Sequence, residues 1–260
     1  MNDYSAELDS ARQFARAGGR IAMRHFRRDP EATRKHDGTW VTVADRVVES
    51  ELRALIARSF PAHNVLGEEE GLALAGGGPP RPDASTWIVD PIDGTTNFMA
   101  GIPIWATLVA LRVGDESVVG VAHAPALSET YDAATGLGAR MNDASISVDP
   151  VESLEEATVL YADAADLARH GLEGFFEEIT GRCAKSRGFG DFWGHVLVAR
   201  GAAHVMLEPE LSVWDVAALQ PIVAEAGGRL TSLAGDPYRD SGSCLTTNGT
   251  LHDEVLALMP

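Results

Sequence analysis

Residues 86–98 constrain this chain more than any other stretch. The run Thr86-Trp87-Ile88-Val89 is β-branched and aromatic, the composition of a buried strand. It runs straight into Asp90-Pro91-Ile92-Asp93-Gly94-Thr95-Thr96-Asn97-Phe98, and the strand is expected to end at Asp90-Pro91. Two aspartates three residues apart bracket Pro91 in this turn. Pro91 fixes φ and leaves the Ile92 carbonyl able to point into the same space. Gly94, Thr95 and Thr96 then offer backbone N–H groups and two hydroxyls at a predicted helix start, a place suited to an anion. Carboxylates alone repel a phosphate. Carboxylates with hard cations hold one, and oxygen-only ligation favours Mg²⁺ over zinc. A purely structural turn needs neither the second acid nor both threonines.

Around this turn the pattern predicts an α/β (α+β) chain. Apolar residues at Leu8, Ala11, Phe14, Ala15, Ile21, Ala22 and Phe26 have helical spacing, as do Ala44, Val47, Val48, Leu52, Leu55, Ile56 and Phe60 before Pro61. Lys35-His36-Asp37-Gly38-Thr39 between them has the composition of a turn or mobile loop, and residues 76–82 that of a surface loop. Val65-Leu66 reads as a short strand. Residues 105–113 and 117–121, joined by Gly114-Asp115, read as an antiparallel hairpin, and 129–134 and 140–142 as further strands. After about residue 150, strand-like runs (158–161, 204–207, 229–231, 245–247) alternate with helical ones (163–179, 191–200, 215–226, 251–258). A layered α/β half, 151–260, is therefore expected behind an α+β half, 1–150, within one compact unit.

Further acids fall where elements begin or end. Asp45 lies in the first turn of the second helix, Glu68 follows a strand, and Asp215 opens a helix at Trp214-Asp215-Val216-Ala217-Ala218. Each also has a plain structural reading. Thr42-x-x-Asp45 and Ser212-x-x-Asp215 both fit the capping box, and Glu68-Glu69-Glu70 fits a solvated acidic face. Sequence separation does not say whether these groups meet.

Composition narrows the classes. With 21 Lys+Arg against 38 Asp+Glu the net charge is −17, which disfavours nucleic-acid backbones and anionic membrane surfaces. No apolar run has the ~18 residues of a membrane span, and the N-terminal residues lack signal-peptide features, so a cytoplasmic protein is expected. Cys183 and Cys244 form no Cys-x-x-Cys pair and no His pair has ligand spacing, so neither a disulfide framework nor a zinc site is expected.

Gly67-Glu68-Glu69, the 90–98 turn and Trp214–Ala218, in this order, resemble the inositol monophosphatase family of metal-dependent, lithium-sensitive sugar phosphatases. The resemblance runs from about residue 5 to 258. It implies a layered α-β-α-β-α sandwich, two or three Mg²⁺ ions, inhibition by Li⁺, a homodimer, and hydrolysis of a small phosphate monoester by an activated water. It also implies roles: Glu68, Asp90, the Ile92 carbonyl and Thr95 at one metal, Asp90, Asp93 and Asp215 at a second, and Glu68 at a third. Asp45 and Thr95 would orient or deprotonate the water, with Glu68 counted among the catalytic acids, and Gly94, Thr95 and Thr96 would cradle the phosphate. Two like charges ~4 Å apart repel by about 4 kcal/mol at an effective dielectric of 20, so such a cluster needs cations.

Within the family, Arg187-Gly188-Phe189-Gly190-Asp191-Phe192-Trp193-Gly194-His195 resembles the histidinol-phosphate phosphatase branch of histidine biosynthesis. Histidinol phosphate carries an ammonium group and an imidazole. Asp191, Glu208 and Glu210 can pair with those cations, and Phe192 or Trp193 can stack on the ring. Arg187, Asp93 and Asp215 complete the expected substrate set. The structural alternative is that Asp191 caps a helix while Phe192 and Trp193 are core. Rival functions are an inositol or bisphosphorylated-nucleotide phosphatase with the same metal ligands, and a non-catalytic metal-sensing or RNA-binding regulator.

Overall fold

The computed structural model describes residues 2–28, 32–35, 38–78 and 84–259. His36 and Asp37 of the 35–39 turn, and Pro79, Pro80, Arg81 and Pro82 of the 76–82 loop, lie outside the described residues.

The first half contains α1 (Ser5–His25), β1 (Ala32–Arg34), β2 (Trp40–Thr42), α2 (Val43–Ser59), β3 (Asn64–Gly67), β4 (Gly71–Ala73) and β5 (Thr86–Asp93). It continues through α3 (Thr95–Met99), β6 (Ala106–Val113), β7 (Glu116–Ala124), β8 (Glu129–Ala134), β9 (Ala139–Met141) and β10 (Ala144–Ser145). The second half contains β11 (Thr158–Tyr161), α4 (Ala164–Arg169), α5 (Glu173–Arg182), β12 (Lys185–Gly188), α6 (Asp191–Ala199) and β13 (Val205–Ser212). After these come α7 (Val213–Val216), α8 (Leu219–Glu225), β14 (Arg229–Thr231), β15 (Ser241–Thr247) and α9 (His252–Leu256).

The order of strands in the larger sheet is β10-β9-β8-β7-β6-β5-β3-β4, and in the smaller β12-β11-β13-β15-β14. Burial explains the layering. Leu8, Phe14 and Ala22 of α1 and Val48, Leu52 and Ile56 of α2 form one core with Trp87, Val89 and Val109 on one face of the large sheet. Ile88, Leu108 and Ala122 face the other way and pack with Phe192 and Val196 of α6 and Ile222 and Val223 of α8. This alternation is the period of two along β5, turned to opposite cores. Behind α6 lies the small sheet, whose Val159, Val205 and Leu245 are covered by Phe175 and Ile179 of α5 and Val255 of α9. The result is the α-β-α-β-α sandwich.

Three expectations are corrected. β5 does not stop at Asp90-Pro91 but continues to Asp93, its pairing with β6 shifting register between Asp90 and Asp93. The helix expected over 163–179 is two helices, broken at Gly171 with φ +74°, and that over 215–226 is α7 and α8. β12, for which no expectation was drawn since Lys185-Ser186-Arg187-Gly188 has no apolar alternation, is an exposed edge strand paired, among the described residues, with β11.

Candidate active site

The irregularity in β5 determines where its acids go. A bulge bends the strand and re-aims side chains, and here it turns Asp90 and Asp93 toward one space. Asp90 Oδ1 accepts the Ile92 N–H at 2.9 Å, and Ile92, fully buried, is among the residues that bound the cavity. Asp215 comes from the far side of the molecule. Its Oδ2 accepts the Ser212 N–H at 2.7 Å, completing the capping box of α7, so the plain structural reading holds for this residue. One oxygen of each of Asp90, Asp93 and Asp215 lies within 4.8 Å of the others.

Asp45 is likewise a capping acid. Its Oδ2 takes the Thr42 N–H at 2.8 Å and the Thr42 hydroxyl at 2.6 Å at the start of α2, and it is fully buried. Its other oxygen faces Thr95, whose Oγ1 lies 3.5 Å from Asp45 Oδ1 and 3.0 Å from the Ile92 carbonyl. Gly94, at φ +81°, opens α3, and a Cβ there would come within 3.0 Å of the Ile104 carbonyl.

Glu68 is presented by a device invisible in the sequence. The buried Glu49 of α2 accepts the Glu69 N–H at 2.7 Å and the Glu70 N–H at 2.9 Å, and is itself held by Arg53 Nε at 2.8 Å. That anchors the turn after β3. The Lys35 ammonium lies 2.7 Å from Glu68 and 2.5 Å from Glu69, so the triple-acid stretch is not a free solvated face.

These groups line a cavity of about 500 Å³ bounded by Lys35, Glu68, Asp90, Asp93, Thr95, Thr96, Asp191, Asp215 and two tryptophans, Trp40 and Trp214. Several expected substrate residues are elsewhere. The Phe192 ring is 1% exposed and belongs to the core, so it offers no stacking face; its backbone N–H instead donates to Asp93 Oδ2 at 2.8 Å. Trp193 packs on Phe189. Glu210 pairs with His170 at 3.2 Å, and Arg187 Nη1 bonds the Ser186 carbonyl; neither lines the cavity. Glu208 is buried and accepts the Asp191 N–H at 3.0 Å. Asp191 does not cap its helix by side chain: Gly190 is the N-cap, and the Asp191 carboxylate takes Asn97 Nδ2–H at 2.8 Å. The aromatic signal was present at Trp40 and Trp214, but a strand edge and a helix start do not disclose which face meets the cavity.

Lys35 answers Glu68 and Glu69, but the other acids of the cavity crowd one another in a buried space. Burial, reinforced by neighbouring carboxylates, holds Asp90 and Asp93 well above the usual carboxylate range. Burial, with Glu208 beside it, pushes Asp191 up to about 7. Asp215 is also pushed up to about 7, by burial and then by Glu208 and Asp191 against the Ser212 N–H and Asp90. Glu68 reaches about 7 by burial despite Lys35. A cluster of oxygen donors whose charged form is this disfavoured fits a hard divalent cation.

Comparison with known proteins agrees with this geometry. The pattern of the inositol monophosphatase family matches residues 3–259. The chain is 45% identical over 227 residues to a histidinol-phosphatase of Mycobacterium tuberculosis, covering 85% of each protein. It is 38% identical over 270 residues to a histidinol-phosphatase of Streptomyces coelicolor, covering 100% of this chain and 98% of that one. Among solved structures, a Thermotoga maritima IMPase superposes with a TM-score of 0.85 at 31% identity, over 97% of this chain and 96% of that one. The metal-dependent chemistry of that family explains why so many carboxylates share one cavity. This chain belongs to the inositol monophosphatase family and is a phosphoric monoester hydrolase acting on a small phosphate ester.

Proposed function

We propose that this phosphatase hydrolyses L-histidinol phosphate to L-histidinol and phosphate, using two or three Mg²⁺ ions and sensitive to Li⁺. The observation that carries the substrate assignment is Asp191, an acid that lines the cavity beside Gly94 and is hydrogen-bonded to Asn97 of the same turn. A carboxylate can accept a hydrogen bond from an inositol hydroxyl, but it pairs more strongly with an ammonium or imidazolium. Trp40 and Trp214 add aromatic faces suited to an imidazole. The names of the two histidinol-phosphatases support the same choice.

Asp90, Asp93 and Asp215 would hold one cation; Glu68, Asp90, the Ile92 carbonyl and Thr95 another; and Glu68 a third. When bound, the cations would neutralise the acids, screen the phosphate and lower the pKa of water. The rest falls to the chain. Thr95 Oγ1, which lies 3.0 Å from the Ile92 carbonyl and 3.5 Å from Asp45 Oδ1, takes the proton of the attacking water as its own passes to the Asp45 carboxylate. Gly94, Thr95 and Thr96 receive the phosphate oxygens on backbone N–H groups. The leaving oxygen departs on the Asp93 side, where Asp191 holds the cationic end of the alcohol.

The chain acts as one catalytic unit, with residues 1–150 supplying most ligands and 151–260 supplying Asp215 and the substrate wall. It works in the cytoplasm as a homodimer, without nucleic-acid or membrane partners. No helix among the described residues is long and apolar enough to cross a membrane, and the −17 charge repels phosphate backbones. The test is phosphate release from L-histidinol phosphate and inositol 1-phosphate, side by side, with Mg²⁺ and with EDTA. A large Mg²⁺-dependent preference for L-histidinol phosphate is expected. Equal or faster turnover of inositol 1-phosphate would refute the substrate while leaving the phosphatase intact.

A further inference from the structure

Asp191 sits in a conformation its residue type disfavours. Its φ is +56°, in the left-handed region where a Cβ crowds the backbone. Such a residue persists only where its surroundings over-determine it, and such places gather at functional sites. Three hydrogen bonds do so here. The Asp191 N–H donates to Glu208 Oε1 at 3.0 Å, Asn97 Nδ2–H donates to Asp191 Oδ2 at 2.8 Å, and the next N–H, of Phe192, donates to Asp93 Oδ2 at 2.8 Å. The glycines on either side permit the approach. A Cβ on Gly190 would lie 2.7 Å from that of Ala162, and one on Gly94 would lie 3.3 Å from Asp191 Oδ2.

Glu208 is the pivot. It is 3% exposed and does not line the cavity. Behind it stands His195, fully buried, with Nδ1 paired to Thr246 Oγ1 at 2.8 Å. The other ring nitrogen, Nε2, has no hydrogen-bond partner among the described residues and faces Glu208 Oε2 at 3.9 Å. A buried carboxylate spent on a backbone N–H, backed by a histidine fixed from behind, is built to hold a turn rather than to meet a ligand.

We propose that Glu208, supported by His195, is a positioning residue that locks Asp191 in its left-handed turn, and that Asp191 alone of the two carboxylates reads the cationic end of the substrate. This rests on the substrate reading above. Because the Phe192 N–H in the same turn holds an Asp93 oxygen, the turn ties substrate choice to the acid cluster.

The test separates an oxygen that accepts a hydrogen bond from a charge that pairs with a cation. Glu208→Gln keeps an acceptor for the Asp191 N–H, so KM for L-histidinol phosphate should stay within about threefold; Glu208→Ala should raise it about tenfold or more, with a smaller change in kcat. His195→Leu should shift KM in the same direction as Glu208→Ala, by less. Asp191→Asn should raise KM about tenfold for L-histidinol phosphate and by clearly less for phenyl phosphate, which has no cationic end. Hydrogen–deuterium exchange of the 189–193 segment supplies a readout independent of substrate: slow in the wild type and Glu208→Gln, fast in Glu208→Ala. If Glu208→Gln raises KM for the cationic substrate as much as Asp191→Asn while exchange stays slow, Glu208 is itself a reader and the proposal is overturned. If the wild type does not prefer L-histidinol phosphate but exchange follows the expected order, the substrate reading has failed and the positioning role stands. Should Glu208→Ala not fold, Glu208→Gln and His195→Leu decide by the same two readouts.

Discussion

Asp45 and Asp215 each satisfy a helix start with one oxygen, and Asp45 keeps the other turned to Thr95. A carboxylate pinned by backbone N–H groups loses little further freedom when it meets a ligand, so capping and chemistry are compatible demands on one residue. Asp93 differs, because it belongs to no capping box of its own and spends one oxygen on the Phe192 N–H in the first turn of α6. Asp93→Asn keeps the volume and removes a charge of the cluster. Hydrolysis should fall by about 100-fold or more, since a ligand to a catalytic cation carries several kcal/mol of charge stabilisation. Circular dichroism and thermal melting should be close to wild type. Normal turnover at saturating Mg²⁺ would exclude the proposed role.

At the level of elements, the turn after β3 depends on α2. Glu49 accepts two N–H groups from the Glu68–Glu70 turn, and the absence of a side chain at Gly67 lets it approach: a Cβ there would lie 2.3 Å from Glu49 Oε1. Glu49→Ala takes the carboxylate from the half-buried Arg53, which keeps the Val65 and Gly71 carbonyls, and frees those N–H groups. It should cost about 3 kcal/mol, the scale for breaking a buried pair, and raise the Mg²⁺ concentration needed for half-maximal activity. Urea unfolding and a Mg²⁺ titration check both. None of this was legible in the sequence, where Glu49 is one more polar position on an amphipathic helix. The long helices, β5 and the 106–124 hairpin were legible because their apolar periods are long; β12 and the break at Gly171 were not, because an edge strand and a single glycine leave no period to read.

Across the whole molecule, Asp215 reaches Asp90 and Asp93 only if the helix layer lies close against the large sheet. Gly120 of β7 sets that distance, since a Cβ there would fall 2.0 Å from the Ala218 carbonyl. Backbone cannot step aside cheaply, so Gly120→Ala should cost about 1–3 kcal/mol and weaken Mg²⁺ binding as well, measured by thermal melting with and without the ion. The acid cluster also predicts a pH dependence. Asp191, Asp215 and Glu68 lie near 7 and Asp90 and Asp93 are raised well above their usual range, so the folded state binds protons that the unfolded chain releases. These groups favour folding at low pH, and that contribution is lost as pH rises through their folded values. In EDTA, Tm should therefore fall from pH 6.5 to 8. The rise in Tm caused by Mg²⁺ should grow over the same window, as protons stop competing with the ion. A Mg²⁺ increment that shrinks with rising pH would contradict the acid-cluster assignment.

Local order sufficed for the sequence to determine the buried β5 run, the 90–98 turn, the capping acids and the family these motifs resemble. Each depends on residues within about one turn or strand of one another, where propensity and hydrogen-bond chemistry act directly. Tertiary structure alone decided which distant acids meet, that Phe192 is core while Trp40 and Trp214 face the cavity, and that Glu208 is spent on the Asp191 N–H. Those outcomes depend on which face of each element is turned to its neighbour and on separations of roughly a hundred residues, such as Asp93 to Phe192. One-dimensional periodicity carries no record of either.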